Sequence, residues 1–153
     1  MLIYGKGINQ TEGQLLKVAD FGLSCIPGAE TSSHYFCPKT VQTLEYRAPE
    51  IFLDLPITNQ IDMFSVGLIL AQLIIGVPIM HGKNKVDQFA SLMEVLGPPP
   101  SYMIPPGKDI YAKAINYTTE SGLKRKPNRT PLALLLLGVD DALLFDLIAR
   151  CLK

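Results

Sequence analysis

Apolar residues fall along the chain in runs of changing period, and the period predicts the elements. Met1 to Tyr4 and Leu15 to Ala19 are short strand patterns, and the stretch 5–13 between them is turn chemistry, so the start reads as a hairpin with a long tip. Residues 23–45 are polar and turn-rich, with Pro27, Gly28, a Thr31-Ser32-Ser33 run and Pro38, and read as a loop. Tyr46 to Leu53 predicts a short helix. Thr58 or Asn59 can cap the next, from Gln60 to about Gly76, which stops before Pro78. That helix is apolar almost all round and is expected at the centre of the core. Val86 to Leu96 is amphipathic: Val86, Phe89, Met93 and Leu96 share a face, and Gly97 with Pro98 end it. Residues 97–130, rich in Pro and Gly, are expected to be irregular with short helices. Pro131 can start a helix through Leu137, and Asp140 can cap a last one, Asp141 to Lys153.

Composition narrows the class. The 153 residues make one domain or part of one, long enough for a sizeable core. Fourteen basic and fourteen acidic residues cancel, so no charge bias points to nucleic acid or an anionic membrane. The most apolar run, Val66 to Met80, is too short to span a bilayer and contains Gln72 and Pro78. No basic, then apolar, leader opens the chain. Cys25, Cys37 and Cys151 are too few and scattered for a disulfide framework or a zinc site, and read as reduced thiols. His34 and His81 are isolated and lack metal-ligand spacing.

The chemistry is expected around Leu15-Leu16-Lys17-Val18-Ala19-Asp20-Phe21-Gly22. A buried strand there presents the Asp20 carboxylate at its end, where it can hold a hard cation that bridges phosphate oxygens. Phe21 is expected to pack beneath Asp20, and Gly22 to turn the chain with positive φ. On its own the tripeptide reads as a strand end followed by a turn. The motifs after it, in order, change that: Tyr46-Arg47-Ala48-Pro49-Glu50, then Gln60-Ile61-Asp62-Met63-Phe64-Ser65-Val66-Gly67, then Val86-Asp87-Gln88 and Met93-Glu94-Val95-Leu96-Gly97.

With these motifs the chain resembles the C-terminal lobe of a protein kinase over nearly its whole length. Within that family it is similar to the CMGC group, on the branch of the dual-specificity tyrosine-regulated and homeodomain-interacting protein kinases. The resemblance implies a mainly α partial kinase domain over 1–153, with a small β-hairpin, an activation segment at 20–50 and a CMGC-type insert at 97–130. It implies transfer of the ATP γ-phosphate to protein Ser/Thr, with ATP and Mg2+ as cofactors. Asp20 then binds the magnesium ion, with Phe21 and Gly22 beside it. Thr43 supports the catalytic loop. Arg47 lies beside the substrate-binding loop. Pro49 and Glu50 close the segment, Glu50 as the acid that pairs with an Arg. Asp62 accepts hydrogen bonds from the catalytic-loop backbone.

The departures are equally specific. Thr40 stands where the branch phosphorylates a tyrosine, and Glu45 where CMGC kinases favour an aromatic residue. No His-Arg-Asp loop, Gly-rich phosphate loop or strand Lys occurs in the sequence. The expectation is a truncated lobe that binds ATP weakly and is inactive alone. The alternative is a non-catalytic, kinase-like interaction module that offers a substrate or docking surface. Either way the partner is a protein, with no specific nucleic-acid binding and no membrane, in the nucleus or cytoplasm. Thr40 and Tyr35 are candidate phosphorylation sites. The Lys124–Arg129 cluster reads as an import or docking patch or as a solvated loop.

Overall fold

The structure, a computed structural model, describes residues 2–5, 15–25, 38 and 40–153. Backbone contacts divide it into two units, 1–38 and 39–153. The hairpin tip, Tyr35, His34 and Cys37 lie outside the described residues.

In the first unit, β1 (Leu2–Gly5) pairs antiparallel with β2 (Leu15–Val18), Leu2 opposite Val18 and Gly5 opposite Leu15. The predicted hairpin is therefore present. A single 3-10 turn, Phe21–Leu23, follows. Three details differ from expectation. Lys17 and Val18 are exposed, so the end of β2 that leads to Asp20 is not buried. The positive φ falls at Asp20 (φ 71°), not at Gly22. A short polar side chain tolerates the left-handed region, which leaves Gly22 free to sit inside the turn. Phe21 is 67% exposed and does not pack beneath Asp20. Cys25 is disulfide-bonded, which corrects the reading of three reduced thiols, while Cys151 is free and buried. Three cysteines are too few for a framework, but one bridge needs only two.

The second unit holds the core. Instead of one helix over Tyr46–Leu53, a 3-10 turn, Leu44–Tyr46, precedes α1 (Pro49–Leu53), because Pro49 at the first helical position restarts the chain. α2 runs Gln60–Ile75 and ends at Gly76 with φ 88°. Asn59 occupies its cap position without a side-chain bond, and the Thr58 hydroxyl accepts from the Gln60 N–H instead. α3 (Lys85–Leu96) starts at Asn84, whose side-chain oxygen accepts from the Val86 and Asp87 N–H groups, and stops at Gly97. The 97–130 stretch is irregular, with a 3-10 turn at Ser101–Met103, α4 (Asp109–Ile115) and an isolated bridge between Thr118 and Lys124. α5 covers only Leu132–Leu135, shorter than expected. α6 (Ala142–Cys151) is capped by Asp141, one residue later than predicted, because it is the Asp141 carboxylate that reaches the Leu143 and Leu144 N–H groups.

Burial reverses the roles expected of α2 and α3. α3 is the central helix: every residue from Asp87 to Val95 is buried. α1, α4 and the 44–46 turn pack on it, and Phe52 stacks on Phe89 with ring centroids 5.1 Å apart. α2 packs on α6 and buries Ile61, Phe64, Leu68 and Ala71, but Met63 (50%), Val66 (41%) and Leu73 (75%) face out. Gly67 lets α6 approach, since a Cβ there would stand 2.8 Å from the Cys151 Cβ. No helix among the described residues is long and apolar enough to cross a membrane.

The chain before α3 runs hard against it. A Cβ on Gly82 would lie 2.1 Å from the Gln88 backbone nitrogen. Gly82→Ala is expected to cost about 1–3 kcal/mol through forced backbone movement. A urea midpoint unchanged by the substitution would show that the loop yields freely.

Candidate functional site

Residues 40–50 form the end of the expected activation segment, and α2 is the platform that holds them. Their geometry rests on Gln42, which has φ 67°. Its Nε2 donates to the Ile61 carbonyl (2.8 Å) and to Ser65 Oγ (2.8 Å), and its Oε1 accepts from the Ala48 N–H (2.9 Å). A flipped amide would set N–H against N–H at Ala48, so the network fixes the orientation. Ser65 Oγ also donates to the Tyr46 carbonyl (2.9 Å), and the Tyr46 hydroxyl bonds Gln72 Oε1.

Arg47 closes the arrangement from the other side. Its Nε reaches the Val41 and Gln42 carbonyls (3.1 and 3.3 Å), and its Nη2 donates to the Gln42 carbonyl (2.8 Å). The guanidinium sits 5.7 Å from the centre of the Phe52 ring. A planar fork suits this paired carbonyl contact, and the aromatic face beneath favours a cation. Arg47 thus holds backbone. Thr43 precedes the 3-10 turn with an exposed side chain and no capping bond. Thr40 is exposed, as an acceptor of modification must be.

Pro49 starts α1, and Glu50 follows in its first turn. Glu50 Oε2 is buried and has no hydrogen-bond partner. An orphaned buried acceptor costs roughly 1–3 kcal/mol. Glu50→Met is therefore expected to raise the stability of the 153-residue chain by about 1 kcal/mol. An unchanged or lower melting temperature would show that the carboxylate finds a partner in solution. Asp62 lies in the first turn of α2, exposed, on the same open flank as Val66 and Leu73.

Asp20, Phe21 and Gly22 belong to the other unit. Asp20 is exposed, and its carboxylate makes no capping bond. Among the described residues no group of three or more His, Cys, Asp or Glu is gathered to hold a metal. Mg2+ keeps several waters and leans on substrate phosphates, so one carboxylate does not make a site for it. Among the described residues none joins Asp20 to complete a magnesium site.

A second cluster divides the expected basic patch. Arg125 turns inward: its Nε pairs with Asp87 Oδ1 (2.6 Å), its Nη1 with Glu94 Oε2 (2.6 Å), and its Nη2 donates to the His81 carbonyl. Asp87 Oδ2 accepts from the Lys83 N–H (2.9 Å). Burial pulls the guanidinium down, but bonds to Asp87 and Glu94 outweigh it and hold Arg125 above its usual value. Lys124 and Lys126 stay exposed.

Sequence reasoning missed Gln42, Ser65, Gln72 and the Arg125 cluster. A signal existed for some of them. Ser65 and Gln72 are seven apart on an apolar helix, as are Asp87 and Glu94, and each pair marks one helix face.

The family model described as "Protein kinase domain" matches residues 8–153. Dual specificity tyrosine-phosphorylation-regulated kinase 2 of Drosophila melanogaster is 35% identical over 152 residues, 95% of this chain and 20% of that protein. Dual specificity tyrosine-phosphorylation-regulated kinase 4 of Homo sapiens is 36% identical over 90% of this chain and 26% of its own length. Dual specificity protein kinase YAK1 of Saccharomyces cerevisiae is 44% identical over 61% of this chain and 11% of its own length. The chain thus spans about a quarter or less of these relatives.

Proposed function

The chain belongs to the protein kinase family, and on that footing we propose that it is the C-terminal-lobe portion of a serine/threonine kinase whose complete domain transfers the ATP γ-phosphate to protein Ser/Thr. The 153 residues alone do not perform that transfer. The observation that supports the reading of a partial lobe is the open flank of α2: Asp62, Met63, Val66 and Leu73 form an exposed stripe on a helix whose other face packs in the core. Soluble chains rarely leave such a stripe bare, so further polypeptide is expected to cover it.

Phosphoryl transfer depends on positioning and on charge neutralisation, and ATP with Mg2+ supplies the transferred group in the complete domain. In the complete domain Asp20, followed by Phe21 and Gly22, would supply one carboxylate toward the ion, and the rest of that site would come from residues outside this sequence. Arg47 and Gln42 set the backbone against which a substrate peptide would lie. Thr43 and Asp62 face catalytic-loop residues that this sequence does not contain. Thr40 is the accessible candidate for phosphorylation.

The test is a transfer assay with the pure chain, Mg·ATP and a basic Ser/Thr peptide. No incorporation above the blank is expected. Incorporation that disappears in Asp20→Ala would overturn the reading of inactivity.

A further inference from the structure

Between α3 and α4 the chain reads Gly97-Pro98-Pro99-Pro100-Ser101-Tyr102-Met103-Ile104-Pro105-Pro106. None of the roles above uses it. Pro100 has φ −55° and ψ 146°, the polyproline II conformation. The 3-10 turn Ser101–Met103 follows, closed by the Met103 N–H on the Pro100 carbonyl (2.9 Å). With about three residues per turn, successive side chains point to different sides. Met103 packs against the core, and Tyr102 stands out at 85% exposure. Pro98, Pro100 and Ser101 are exposed too.

We propose that Pro99-Pro100-Ser101-Tyr102 is a docking site for a WW-type domain, a small sheet that stacks proline between aromatic rings and takes a tyrosine in an adjoining pocket. Three observations select this occupant. The order is Pro-Pro-x-Tyr, with the second proline and the tyrosine both displayed. No proline lies three residues after Pro98, Pro99 or Pro100, so the Pro-x-x-Pro spacing of SH3 ligands is missing. Residues 98–106 carry no charge, so recognition rests on ring stacking and shape.

The display is also rigid. Upstream, Gly97 N–H bonds the Met93 carbonyl, and Asn128 crowds Gly97. Downstream, Met103 is anchored and Lys108 pairs with Asp54. Proline rings fix φ in advance, so this segment loses little freedom on binding. The inference does not depend on the kinase reading, because it uses no residue of the activation segment or of the open α2 flank.

The experiment is a fluorescence anisotropy titration of the labelled 153-residue chain with a purified WW domain that takes Pro-Pro-x-Tyr peptides. Saturable binding is expected, weakened at least ~10-fold by Tyr102→Ala, since an aromatic anchor of this kind carries much of the affinity. Pro100→Ala is expected to weaken it as well. Circular dichroism melts should not move with Tyr102→Ala, because that side chain is exposed. No saturation up to about 1 mM, or equal binding by the wild type and Tyr102→Ala, overturns the proposal. Equal binding by an SH3 domain overturns it as well.

Discussion

Arg125→Met is expected to destabilise the chain by about 3–5 kcal/mol, the cost of stranding buried acids without their cation. Asp87 is 3% exposed and Glu94 is 9% exposed. Both carboxylates and the His81 carbonyl lose the Arg125 guanidinium at once, and Glu94 keeps only the half-exposed Arg129 Nε at 4.0 Å. Lysine is not expected to rescue the site, since a point charge cannot serve three acceptors that a fork meets together. The check is a urea midpoint for Arg125→Met and Arg125→Lys beside the triple variant Arg125→Met, Asp87→Leu, Glu94→Met. Recovery in the triple variant is expected, because the penalty belongs to the unpaired charges. Loss that persists there would assign the effect to packing. Arg125 is held above its usual value, so its contribution is complete below the ordinary arginine range and fades only as pH rises through the raised value in strong alkali. Mild acid should leave this part of the cluster intact.

Gln42→Ala is the second large effect, about 3–4 kcal/mol. Three hydrogen bonds at about 1 kcal/mol each disappear, and the Ala48 N–H is left without its acceptor. Gln42→Glu is expected to be no better. It keeps an acceptor for Ala48 but turns an anionic oxygen toward the Ile61 carbonyl. Hydrogen exchange at the Ala48 amide reads the effect directly, and protection should fall in both variants. Wild-type protection in Gln42→Ala would show that Arg47 alone positions the segment.

Much of the fold was legible because its signals are local. The hairpin follows from two short apolar runs around turn residues. Asn84 and Gly97 bound α3 by side-chain capping and a positive φ. The error over α2 and α3 has one cause. A helix apolar on every side does not reveal which side is covered, and α2 is apolar on the side that stays open. α3 looks amphipathic because Asp87, Ser91 and Glu94 interrupt its apolar residues. These three point into the loop at 81–83 and toward Arg125. Lys124, Arg125 and Lys126 looked alike in a run of charge. Of the three only Arg125 turns inward, to Asp87 and Glu94. Gln42 gave no signal, because its role comes from a backbone conformation that the sequence around it does not announce.

The most direct measurement is the mass of the endogenous protein, by denaturing immunoblot with an antibody to residues 83–96. On the proposed reading a band much heavier than the 16.8 kDa of this chain is expected, with the catalytic loop and the cover for α2 on the same polypeptide. A single band near 16.8 kDa would contradict it and would turn the open flank of α2 into a surface that a separate partner must cover.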